Sequence, residues 1–260
     1  LWAPWLLLGA IQLTVVLVLA GFAHPALSWF MAPWLRAAAG EDALHYPNVF
    51  RLLPGLYARV DLLVTATLGV LAAGAATYLF AARLDRAAVA TRAGEGLRRA
   101  LARAVPLIAV NLPLNLLVVG LSVGLEWWVG ERDSSGLVRR FARLFALGGA
   151  LVLQAFFVYG TALVILGGRG VWGALRALPH AARQGFWAAL CLSVVGILPL
   201  LPVQELAGRT SLIVDRGAPE VMVVVVAAQI ALTLLMSFLL AGSVTVVYQG
   251  TVAPAEAGAR

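Results

Sequence analysis

The chain contains no lysine: all 19 of its basic residues are arginine. A glycine-rich phosphate loop that closes with a lysine is therefore excluded. Cysteine is almost missing too. The single one, Cys191, can form no internal disulfide and cannot complete a zinc site, and its place in an apolar run predicts a small buried hydrophobe. The three histidines fall in segments that cannot converge: His24 and His45 in one connecting stretch, His180 in another. No pair stands at the four-residue spacing of a helical metal site. Charged residues make up only 12% of the chain, about half the share of an ordinary soluble domain. Ser193, Ser237 and Ser243 lie in apolar runs with no histidine or aspartate at similar depth, so no nucleophilic triad is expected. Catalytic, cofactor and metal sites are all expected to be absent.

What the chain has instead is apolar length. Of 260 residues 62% are hydrophobic, and the mean hydropathy is +0.93. Six runs approach the roughly 20 apolar residues a bilayer core demands. They fall at about 4–23, 62–82, 106–128, 144–167, 186–204 and 219–249. The last exceeds the need, so it should tilt or project beyond the lipid. The expected fold is an all-α polytopic integral membrane protein: one domain of six transmembrane helices with interfacial amphipathic helices. Residues 24–61 are too long for a tight turn. Leu27, Trp29, Phe30, Met31, Trp34 and Leu35 form an aromatic-rich stretch suited to the headgroup boundary. Phe50, Leu52, Leu53, Leu56 and Tyr57 read as a second interfacial piece. In 83–105, Gly94 and Gly96 interrupt the pattern, which leaves only the second half as a good helix.

The formal net charge of +7 would point to nucleic acid in a soluble protein. Here the arginines flank apolar runs, where topology and anionic lipid account for them, and no nucleic-acid partner is expected. With the N-terminus cytoplasmic, the inner segments hold ten arginines and the outer segments nine. Local density decides the orientation. Arg83, Arg86, Arg92, Arg98, Arg99 and Arg103 crowd beside two spans, which favours both termini in the cytoplasm of a bacterial inner membrane. The chain starts at Leu1 and not at methionine, which is compatible with a window of a longer protein.

Arg169, Arg176 and Arg183 recur every seven residues between the fourth and fifth runs. At 100° per residue, Val171, Leu175, Leu178, Ala182 and Phe186 gather within about 80°, and the arginines with His180 lie across from them. Such a helix, tethered at both ends, is expected to lie along the membrane surface and to dock a partner or anionic headgroups. Pro179 should break it near the middle and Gly185 should weaken its end.

Polar groups inside the runs are the other candidates. Asn111 and Asn115 share a helix face around Pro113, where they can line a polar path or bond to backbone and neighbouring helices. Gln12, Gln154 and Gln229 can likewise turn their amides inward. Asp61, Glu126 and Glu205 sit near the predicted outer ends of their spans, within reach of Arg59, Arg132 and Arg209. No deep acid is expected.

Tyr159-Gly160-Thr161-Ala162-Leu163-Val164-Ile165-Leu166, then Gly173-Ala174-Leu175-Arg176 and Arg183-Gln184-Gly185-Phe186-Trp187, carry a resemblance. This stretch, with the span count, resembles six-span bacterial inner-membrane proteins of the type attached to some glycerophosphodiester phosphodiesterases. The chain departs from that pattern at Gly167-Gly168, where an acid is usual, and around Leu178-Pro179, where a serine is usual. The resemblance implies a non-catalytic membrane module and carries over no site residue. The expected function is thus a non-enzymatic membrane subunit or scaffold that partners lipid, itself or other subunits. The alternative is the permease half of a transporter for a lipid-like or apolar solute.

Overall fold

The structure, a computed structural model, describes residues 1–21, 24–85, 93–130, 136–216 and 218–253. Among them every regular element is helical and none is a strand. Helix α1 (Ala3–Ala20) is apolar throughout. Helix α2 (Pro25–Ala39) opens on Pro25, whose missing N–H costs nothing at a helix start. It stops at Gly40, whose φ of +82° few side chains tolerate. Helix α3 (Asn48–Val64) runs through a π-helical turn (Thr65–Gly69) into α4 (Val70–Leu84). Then come α5 (Ala93–Ala102), α6 (Ala104–Gly130), α7 (Gly136–Phe157), the short α8 (Gly160–Ile165) and α9 (Val171–Ile197). The last described elements are α10 (Leu201–Gly208), α11 (Thr210–Asp215), α12 (Val221–Val247) and a second π-helical turn (Tyr248–Val252).

Among the described residues six helical runs are long and apolar enough to cross a bilayer: Ala3–Ala20, Asn48–Leu84, Ala104–Val129, Gly136–Ile165, Val171–Gly208 and Val221–Val252. The protein is a multi-pass, all-α membrane protein. Two runs are much longer than their apolar cores imply. The piece around Phe50–Tyr57 is the first part of a 37-residue run, not a separate interfacial helix. Likewise the arginine-bearing stretch is no free surface helix with a break at Pro179. It forms the start of α9, which passes through Pro179 without interruption. A proline inside a helix removes one backbone bond. Here Ala174, Ala177, Leu178, Ala181, Ala182, Gly185 and Ala189 are buried on both sides of it, and packing along that face outweighs the local loss.

The residues group into two compact units. One comprises Leu1–Pro4, Ala66–Gly196 and Phe238–Arg260; the other comprises Trp5–Thr65 and Ile197–Ser237. In the first, Leu163, Val164 and Ile165 of α8 are almost wholly buried, packed in a core with Leu107, Val110, Tyr159 and Leu178. Glycines set the close approaches there. A Cβ on Gly74 would lie 2.8 Å from Leu107 Cδ1, and one on Gly96 would lie 2.9 Å from Leu79 Cγ. Gly94 and Gly96 therefore do not interrupt α5, which begins at Ala93 and includes both. In the second unit, Val16 and Leu19 of α1, Leu53 and Tyr57 of α3, and Met222, Val226 and Ile230 of α12 share a core. Trp29, Phe30 and Trp34 of α2 stay exposed, the disposition expected of a headgroup-boundary helix. Outside the spans, Arg36 forks onto Glu41 (Nη2 to Oε1, 3.0 Å) and holds that carboxyl below its ordinary range.

Candidate functional site

A cavity lined by charged side chains stands at the junction of α5 and α6. Glu95, Arg98, Arg99, Ala102 and Arg103 line a cleft of about 430 Å³. Three guanidinium groups against one carboxylate leave a local charge of +2 (3 − 1). The cleft is built by neighbours. The Tyr78 hydroxyl of α4 donates to Glu95 Oε1 at 3.0 Å, and Arg99 lies over the Tyr78 ring, 4.9 Å from its centroid. Arg103 sits in the turn between α5 and α6, where its Nη1 donates to the Val164 carbonyl at 2.6 Å. That contact places a cation at the C-terminal end of α8, where unpaired carbonyls and the helix dipole favour one. The loop after α8 passes close by: a Cβ on Gly168 (φ +69°) would lie 3.7 Å from Arg103 Nη2. Arg98 and Arg99 remain exposed with donors free to turn, and planar guanidinium forks suit phosphate.

The heptad arginines take a different arrangement from the one the spacing predicts. Arg169 is not on the helix. It belongs to the loop before α9, half-buried, with its backbone N–H donating to Leu163 O at 3.2 Å. Arg176 and Arg183 do lie on α9 and are exposed, with His180 and Gln184 between them joined ring to amide at 2.9 Å. The opposite face carries the buried Leu178 and Ala182, with Val171, Leu175 and Phe186 packed on the same core. Amphipathicity is thus real, although its apolar face meets protein.

Asn111 donates from Nδ2 to Leu107 O (2.8 Å) and toward Thr161 Oγ1 (3.4 Å), so it bonds backbone and a facing helix. Asn115 is half-buried and makes no side-chain hydrogen bond among the described residues. Gln12 is the buried glutamine; Gln154 and Gln229 are half-buried. Glu205 pairs with Arg209 (Oε1 to Nη2, 3.0 Å) on the exposed surface. The Glu126 side chain and all of Arg132 lie outside the described residues. Asp61 departs most from expectation. It lies inside the Asn48–Leu84 run and not at its end, and its carboxylate bonds Gln12, Tyr57 and Thr65. Cys191 is exposed and not buried. It stands two residues from both Ala189 and Ser193 of the buried face, hence about 200° round the helix.

Fold and site together define a polytopic helical membrane protein with an arginine-lined cleft. No family model, curated protein or solved structure matches the chain. Among the described residues no group of three or more histidine, cysteine, aspartate or glutamate side chains is placed to hold a metal.

Proposed function

We propose that this chain is a non-enzymatic subunit or scaffold of a bacterial inner-membrane assembly, oriented with both termini in the cytoplasm. Its arginines seat it on anionic headgroups. The observation that carries this reading is the α5–α6 cleft, where Arg98 and Arg99 present exposed forks beside Arg103. Arg176 and Arg183, exposed on α9, offer a second cationic surface to lipid or to a neighbouring subunit.

The test is the lipid retained on purification. Each arginine near an anionic surface contributes about 1 kcal/mol, so replacing Arg98 and Arg99 with glutamine should weaken retention of phosphatidylglycerol roughly 30-fold. Quantifying lipid bound to both proteins by native mass spectrometry checks it. Equal retention by R98Q/R99Q and the parent chain contradicts the reading. Arg103 is left in place because its bond to Val164 is part of the fold.

One observation favours the second reading, a permease component for a lipid-like or apolar solute. Between α6 and α7 a groove of about 610 Å³ is lined by Gly120, Leu121, Gly124, Trp128, Phe141 and Phe145. Its size is that of a small-molecule site and its lining is apolar. Copurification of an ATPase, with transport that needs nucleotide, would select this reading over the scaffold.

A further inference from the structure

Gln12 is the tenth of the 18 residues of α1, near the middle of the first span. It is 3% exposed, and its Nε2 donates to Asp61 Oδ1 at 2.6 Å. That bond brings the Asp61 carboxylate to the depth of the α1 midpoint. The same oxygen accepts from the Tyr57 hydroxyl at 3.0 Å and the Thr65 hydroxyl at 3.3 Å. The other end of the Gln12 amide, Oε1, is buried and has no hydrogen-bond donor among the described residues. A π-helical turn begins at Thr65, a local rewinding that recurs at functional sites.

The charge around this cluster is one-sided. Among the described residues the side chains that donate to Asp61, Gln12, Tyr57 and Thr65, are all neutral. Neither α1 nor α12, which share the core of this unit with α3, contains an ionisable residue. Elsewhere in the unit, Arg51 holds Asp215, Arg36 holds Glu41, Arg209 holds Glu205 and Tyr46 donates to Glu220, while His24, His45 and Arg216 stand in the segments between helices. Asp42 belongs to the short turn before α3, and its backbone carbonyl accepts from Asn48. Arg59 is two residues from Asp61, about 200° round the same helix. A carboxylate in apolar surroundings is costly until a positive charge neutralises it. A carbonyl oxygen left without a donor beside a carboxylate is the hard-oxygen pairing that small, hard cations take.

We propose that Asp61, Gln12, Tyr57 and Thr65 form an intramembrane site for one small monovalent cation, sodium or a proton. Asp61 supplies the charge, the Gln12 carbonyl a second oxygen, and the Tyr57 and Thr65 hydroxyls hold the carboxylate in place. The site is separate from the arginine cleft, and its test does not depend on lipid retention.

The experiment uses the full purified chain in lipid nanodiscs. Its unfolding midpoint is followed as sodium chloride replaces choline chloride at constant ionic strength. Infrared difference spectra of the parent and D61N report a protonated carboxyl. Sodium occupancy predicts a rise of about 3 °C in the midpoint, lost in D61N. Proton occupancy predicts no sodium response and a carboxylic-acid carbonyl band that D61N removes. Q12L, which keeps the acid and removes the amide, should weaken the sodium response or shift the band, and it serves where D61N does not fold. Neither response in the parent chain, or responses that D61N or Q12L leaves unchanged, overturns the site.

Discussion

Replacing Gly185 with alanine should destabilise the protein by about 3 kcal/mol, an overpacking cost at the upper end of the usual range. The Tyr159 hydroxyl donates to the Gly185 carbonyl at 2.9 Å, and a Cβ at position 185 would lie 2.1 Å from the Tyr159 hydroxyl oxygen and 2.7 Å from its Cζ. Tyr159 has no room to retreat, since it is 0% exposed in the core formed with α8 and α9. Helix propensity works the other way, because alanine is better than glycine by about 1 kcal/mol in a helix interior. The sign of the outcome therefore separates two accounts of this glycine. If it merely weakens a surface helix, G185A stabilises. If it seats Tyr159, G185A destabilises, and the double variant G185A/Y159F recovers part of the loss. Thermal unfolding of the three variants in detergent, with folded yield as a second readout, decides it.

Leu163→Ala should cost about 2 kcal/mol, estimated from the cavity term alone. Leu163 is 0% exposed at the centre of α8. In a water-soluble core the same change would lose transfer energy as well. Between helices in a bilayer the unpacked alternative is lipid tail, as apolar as leucine, and only close packing is lost. An exposed leucine is the control: Leu116→Ala, on α6 at 63% exposure, should shift the unfolding midpoint little. Equal losses at the two positions would mean that α8 is not the packing centre.

These two side chains show what was legible in the chain and what was not. The six runs could be read because bilayer length and apolar composition are local properties, and each run has its helix. The apolar face of α9 was also legible: Leu178 and Ala182 are buried, as the 100° periodicity requires. Breaks assigned to Pro179 and Gly185 were not found, since a residue's cost in an isolated helix says nothing about the partner it meets. Gly185 meets Tyr159, 26 residues earlier. In the sequence Asp61 stands at the edge of an apolar run that starts at about 62, which makes it look like an end-of-span acid. Its bond to Gln12 spans 49 residues of sequence. The arginine cleft was half visible. The crowding of basic residues in 83–103 stood out, but the turn that aims Arg103 at Val164, 61 residues on, did not.

All of this depends on hydrocarbon being the solvent of the six apolar runs. The most direct measurement is cysteine accessibility in intact membrane vesicles, on a background where Cys191 is replaced by serine. Val123→Cys and Leu235→Cys lie within α6 and α12, the helices of the third and the last apolar run, while Ser28→Cys lies on the boundary helix α2. The account predicts that a charged, membrane-impermeant maleimide leaves the cysteines at 123 and 235 unmodified until detergent is added, and modifies the one at 28 in vesicles open to its side. Rapid labelling at 123 or 235 in intact membranes would place those helices in water and contradict it.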